Sequence, residues 1–171
     1  MEYARRSCQT SKRMNDRCAR SADEFAEVVR EFCEWCVGAR QTDFEAASWL
    51  CRLYAAALVL PQVGPENEEG LPEIPSSELS RAEVGLVSFN GRYYWEVFDP
   101  DPSLSEKPCI GDLGDDLLDI YKDVRQGLLV FDRGDYIDAM WHWSFLHRVH
   151  WGRHAAAALL ALHGLSVAKS E

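Results

Sequence analysis

Residues 112–134 read DLGDDLLDIYKDVRQGLLVFDRG. Leu113, Leu117, Ile120, Val124, Leu128 and Phe131 recur at three- and four-residue steps, so a helix would gather them on one face. Asp112 is an N-cap type and Gly134 a natural stop, so the segment predicts one amphipathic helix opened at Asp112. Asp112, Asp116, Asp119 and Asp123 line one edge of that helix beside the apolar face, with Asp115 slightly further round.

On the C-terminal side, Asp135 reads as the cap of a long final helix reaching roughly Leu165. At about 100° per residue, Tyr136, Met140, Trp143, His147, His150, His154, Ala158 and Ala161 would share one stripe. On the N-terminal side, Ser21-Ala-Asp-Glu24 has the form of a capping box. Behind it, Phe25, Val28, Val29, Phe32, Trp35 and Cys36 recur at helical spacing, predicting a first helix over about 22–38. Asp43 would cap a second, whose stripe is Phe44, Ala47, Leu50, Cys51, Tyr54 and Leu58 and which Pro61 ends.

The Pro- and Glu-rich stretch 61–76 reads as an exposed loop. A weaker third helix is expected over 77–89. After the turn signal Asn90-Gly91, Tyr93–Phe98 has strand-like residue types. A hairpin over 84–98 is the alternative to a short buried helical segment. The helical reading is preferred because nothing nearby supplies a strand partner, 103–111 reading as loop. The expectation is an all-α fold: a single-domain helical bundle of about five helices with a long C-terminal helix, over residues 21–168.

Among 171 residues, 47% are hydrophobic, with six Trp, six Tyr and seven Phe, which is material for a substantial core. The formal net charge is −10, which argues against general binding to nucleic acid. Residues 1–20 run the other way, with Arg5, Arg6, Lys12, Arg13, Arg17 and Arg20 against Glu2 and Asp16. They read as a solvated, disordered basic tail. No run is long enough to span a membrane and the first residues lack a secretory apolar region, so a cytoplasmic protein is expected. In that setting Cys8, Cys18, Cys33, Cys36, Cys51 and Cys109 are expected as thiols.

Three imidazoles on a core-facing stripe need partners, either a metal or facing carboxylates. If the acidic edge of 112–123 faces them, His147, His150 and His154 with Asp116 and Asp119 form a candidate oxygen–nitrogen site for divalent Zn, Mn or Fe. Against that stand buried, hydrogen-bonded histidines and an acidic row that is merely solvated or favoured by the helix dipole. Trp143, Tyr94 and Trp95 are the aromatic candidates for contact with a small ligand. Cys33-Glu-Trp-Cys36 is a CxxC in mid-helix without nearby activation, and reads as structural. Glu31/Glu34 and Asp116/Asp119 resemble the Mg²⁺-holding acidic pairs of all-α nucleotide pyrophosphohydrolases, but lie far apart in the chain and lack that family's richer Glu-Glu pattern.

Two stretches carry a wider likeness: Asp115-Asp-Leu-Leu-Asp-Ile-Tyr-Lys-Asp-Val124, and His150-Trp-Gly-Arg-His154 followed by Ala158-Leu-Leu-Ala-Leu-His163. Together with Phe25–Cys36, Leu53-Tyr54, Leu60-Pro61 and Tyr94-Trp95-Glu96-Val97-Phe98, they resemble a bacterial family catalogued as domain of unknown function 5063. The resemblance implies a compact helical fold in a bacterial cytoplasm and transfers no catalytic residue.

Two functions follow as expectations. The first is a protein-binding or homo-oligomerising module, since Trp141, Leu159 and Leu160 project from other sides of the last helix. The second is a metal- or small-ligand-binding bundle, with a metal-dependent hydrolase as its enzymatic form. No cofactor is established by the sequence itself.

Overall fold

In the computed structural model, the structure describes residues 2–67, 70–99 and 101–168, with the side chains of 2–17, 167 and 168 left aside. Among these the chain forms six α-helices and one two-stranded ribbon: α1 (Glu2–Cys36), α2 (Asp43–Leu58), α3 (Ser76–Gly85), β1 (Tyr93–Glu96), β2 (Cys109–Asp112), α4 (Leu113–Asp132), α5 (Tyr136–Val149) and α6 (Trp151–Ala168). The fold is all-α apart from that ribbon, and no helix of the described residues is long and apolar enough to cross a membrane.

The core forms where the apolar stripes meet. Leu113, Leu117, Ile120, Val124, Leu128 and Phe131 are all buried, as their spacing requires. From α1 they meet Phe25, Val29 and Phe32, and from α5 Trp143, whose ring lies edge-on to Phe25 at 5.0 Å between centroids. Trp143 is fully buried and donates from Nε1 to the Val124 carbonyl at 2.9 Å.

Several boundaries differ from the sequence reading. α1 does not begin at Ser21: the helix runs through Ser21–Glu24, so that capping-box pattern lies within it. The basic side chains Arg5, Arg6, Lys12, Arg13 and Arg17 lie outside the described residues. α2 is capped by Thr42, whose hydroxyl accepts from Glu45 N while the Glu45 carboxylate accepts from Thr42 N. Asp43 instead pairs with Arg92 at 2.6 Å, tying α2 to the segment before β1.

The preferred helical segment after Asn90-Gly91 is corrected to a strand. β1 pairs antiparallel with β2, Tyr93 opposite Asp112 and Glu96 opposite Cys109. The missing strand partner is thus Cys109–Asp112, made of the last residues of the expected loop and the cap of the next helix. One carboxylate organises the junction. Asp112 accepts from Gly114 N at 2.8 Å, capping α4 as expected, and from Gly91 N at 2.7 Å, holding the turn. Gly91 takes a φ of 70°, which favours glycine.

The long final helix is corrected to two. α5 ends at Val149 and α6 begins at Trp151, with His150 between them at φ −143° and ψ −88°. The break lets Trp151 fold completely into the core and donate from Nε1 to the Trp143 carbonyl at 3.2 Å. Gly152 permits the tight passage, because a Cβ there would collide with the His147 carbonyl. Among the described residues the bundle therefore has six α-helices rather than about five.

Candidate functional site

The site grows from the acidic edge of α4. Successive steps of three, four and seven residues put Asp116, Asp119 and Asp123 on one side of that helix. The break at His150 then lays the start of α6 beside them.

Asp123, largely buried, accepts from His150 Nδ1 through Oδ2 at 2.6 Å. Seven residues, or about two turns, nearer the helix start, Asp116 is 4% exposed and its Oδ1 lies 2.7 Å from His154 Nδ1. The other oxygen of Asp116 accepts the Tyr94 hydroxyl at 2.6 Å, which fastens β1 to the cluster. Each imidazole thus has its Nδ1 occupied by a carboxylate, leaving Nε2 as the free nitrogen. The two rings stand edge to face, 4.9 Å between centroids.

Asp119 sits between the two dyads. One donor atom each from Asp119, His150 and His154 lies within 4.8 Å of the others. Asp119 is paired with Lys122 at 2.9 Å, an i,i+3 contact of two half-exposed side chains. Among the described residues this is the one group of His, Cys, Asp or Glu that could hold an ion.

The electrostatics follow from burial and pairing. The Asp116 carboxylate raises the His154 pKa above the usual histidine value, against the opposing effect of burial. Burial pushes the Asp123 carboxyl up, and its bond to His150 only partly offsets this. Tyr94 is raised by burial and then by its bond to Asp116, so it remains a phenol and a donor. His142, buried, has Nε2 3.0 Å from the Asp123 carbonyl, and burial lowers its pKa.

Of the residues singled out in the sequence, the structure brings together Asp116, Asp119, His150 and His154. His147 is elsewhere, on α5 before the break, its ring 4.6 Å from Tyr54 and 4.7 Å from Trp151. Its Nε2 is buried without a hydrogen-bond partner, and burial lowers its pKa. Trp143 is fully buried in the core. Tyr94 and Trp95 line a cavity between β1 and α6. Glu31 is engaged by Arg52 at 2.7 Å, so the two acidic pairs do not form one centre. Cys33 and Cys36 are buried thiols, Cys33 pushed up to about 12 by burial, which removes nucleophilic character. The sequence reading placed Asp123 on the acidic edge without a role; its seven-residue step from Asp116 was the available signal.

Comparison with known proteins agrees with this architecture. The model of the family described as "Domain of unknown function (DUF5063)" matches residues 17–168. A crystal structure of a Bacteroides fragilis protein, a structural-genomics target, superposes with a TM-score of 0.66 at 21% identity, over 85% of this chain and 94% of that one. At that identity the likeness concerns the fold. No curated protein matches significantly.

Proposed function

The chain belongs to the DUF5063 family, and we propose that within this helical domain Asp119, His150 and His154 hold a divalent transition-metal ion. One observation carries the reading: both histidines have their Nδ1 fixed by a largely buried carboxylate, at 2.6 and 2.7 Å. Carboxylates behind metal-binding histidines set the tautomer, aim the ring and raise its basicity. A row of solvated acids would not do this twice on adjacent rings.

Two imidazoles and a carboxylate suit Zn²⁺, and equally the two-His, one-carboxylate sites of Fe²⁺. Ligands on a tetrahedral ion with bonds of about 2.1 Å stand about 3.4 Å apart. Closing the cluster to that spacing takes side-chain movements on the order of an ångström. The Lys122 partner of Asp119 is a weak obstacle, since exposed pairs contribute roughly 0–1 kcal/mol. Three protein ligands leave a position for water, the arrangement of catalytic zinc, so metal-assisted hydrolysis is the reaction class that fits. Free thiols at all five described cysteines accord with a reducing bacterial cytoplasm as its setting.

The test is elemental analysis of the untagged protein after dialysis without chelator and again after incubation with Zn²⁺, Mn²⁺ or Fe²⁺. Near-stoichiometric metal in the wild type, lost in His150→Ala and Asp119→Asn, is the expected result. A metal-free protein after incubation would overturn the reading.

A second reading, a docking or oligomerising module, draws on the outer side of α6. Leu160 is 72% exposed there, flanked by the small residues Ala156, Ala157 and Gly164. A light-scattering mass of one chain at all concentrations would dispose of self-association.

A further inference from the structure

Beside the carboxylate–histidine cluster, β1 and the length of α6 enclose a cavity of about 700 Å³, within the size range of small-molecule sites. Most of its wall is apolar. α6 supplies Ala157, Leu160, Ala161 and Leu165, and from Arg153 to Leu165 the helix advances roughly 18 Å at its usual rise. The cavity is therefore a long groove with small residues along its floor.

One end is polar and unsatisfied. Glu96 is only 9% exposed, and its Oε1 is buried with no hydrogen-bond partner. Across from it stands Arg153, whose Nε is 3.9 Å from that oxygen, beyond hydrogen-bonding range. The Arg153 guanidinium lies over the Phe98 ring, 3.9 Å from its centroid. The other polar group at this end, the Tyr94 hydroxyl, is already donated to Asp116.

A buried carboxylate oxygen without a donor is costly, so a ligand that supplies one gains affinity from it. A purely cationic head would meet Glu96 but be repelled by Arg153. A purely anionic head would meet Arg153 and be repelled by Glu96. A head bearing both charges satisfies both groups at once.

We propose that this groove binds a linear amphiphile with a zwitterionic head. Its ammonium donates to Glu96 Oε1, its carboxylate accepts from Arg153, and its alkyl chain lies along the Ala157–Ala161 face of α6. The proposal is independent of the metal reading, because none of these contacts uses Asp119, His150 or His154.

The test uses the full-length protein in excess chelator, so that it succeeds or fails apart from any metal. Three ligands of equal chain length, 2-aminodecanoate, decylamine and decanoate, are titrated below their micellar concentrations and followed by amide NMR. The expected result is binding of 2-aminodecanoate at least tenfold tighter than either singly charged chain, with shifts at Glu96, Arg153, Ala157 and Gly164. Glu96→Gln is isosteric and Arg153→Met keeps a stem over Phe98; each should abolish the tenfold preference while the far-UV spectrum is unchanged. Three equal affinities, no binding by any of the three, or shifts confined to another face would overturn it. So would a dimer that covers Leu160 and separates on Leu160→Lys, which would give the groove to a second copy of the chain.

Discussion

His150 and Asp123 meet at 2.6 Å across 27 positions of the chain, Nδ1 against Oδ2. Asp123 is not placed to ligate in the proposed centre; it positions a residue that is. Asp123→Asn should therefore leave the ligand set intact and weaken metal binding by roughly 10–100-fold, the usual cost of losing such a partner. Competition against a chromogenic chelator measures it directly. An unchanged affinity would mean that His150 needs no orienting carboxylate.

Trp143 and Gly127 are matched in the same way, by contact. A Cβ at residue 127 would land inside the van der Waals shell of the Trp143 indole nitrogen, in a fully buried layer. Gly127→Ala should cost about 1–3 kcal/mol, the range for overpacked cores. Urea denaturation gives the number, and a neutral result would show that the indole can retreat.

His147 makes stability depend on pH. Burial holds its folded-state pKa below the ordinary 6.5. As pH falls below 6.5 the unfolded chain takes a proton that the native ring refuses, so the contribution present above 6.5 is lost toward the lower folded value. His142, also depressed, adds to the same trend, while the raised His154 opposes it. His147→Phe removes one group only, so its stability should fall less than wild type between pH 7.5 and 5.5. Parallel losses in the two proteins would contradict this.

Thiol reactivity should separate the cysteines. Cys33 and Cys36 are buried and both are raised by burial, Cys33 to about 12, whereas Cys51 is exposed. Iodoacetamide near neutral pH should label Cys51 and spare the CxxC pair, as peptide mapping would reveal. Prompt labelling of Cys33 in the folded protein would contradict this and point to a reactive thiol.

Glu78 joins α3 to α4. Its carboxylate accepts from both Arg125 and the Tyr121 hydroxyl, and the hydrogen bond from Arg125 keeps its pKa below the usual carboxylate value. Glu78→Ala should destabilise by about 2 kcal/mol, since it strips a charge-assisted acceptor from two donors. Its contribution in the wild type is present above the ordinary 4.5 and disappears as pH falls through the lower folded value.

The parts legible in the sequence were those written in local periodicity. The α4 stripe, its Asp112 cap and its acidic edge all follow from spacing within one helix, and the structure puts that edge against His150 and His154. The strand at Tyr93–Glu96 was masked because its partner, Cys109–Asp112, is four residues long and carries a glycine. Strand pairing is a relation between distant segments, and no pattern inside 93–98 names its mate. The break at His150 had even less signal. No proline marks it; the reason is Trp151 sinking into the core, with Gly152 as the only local trace. His147 departs from the other histidines because the stripe of a continuous helix does not survive a non-helical residue at 150.

That break also determines where the chain can change length. Between Trp143 and His154 the spacing is fixed by Trp143 and Trp151 in the core and by His150 and His154 against their carboxylates. Deleting or inserting one would turn the rest of α6 by about 100°, carrying Ala155, Ala158 and Leu162 out of the core and His154 off Asp116. The connection from Glu96 to Cys109 is different: its described residues are exposed and its two ends are held by the strand register. Relatives should therefore differ freely in the size of that loop while keeping the count from α5 into α6 constant, a phase requirement imposed by one non-helical histidine.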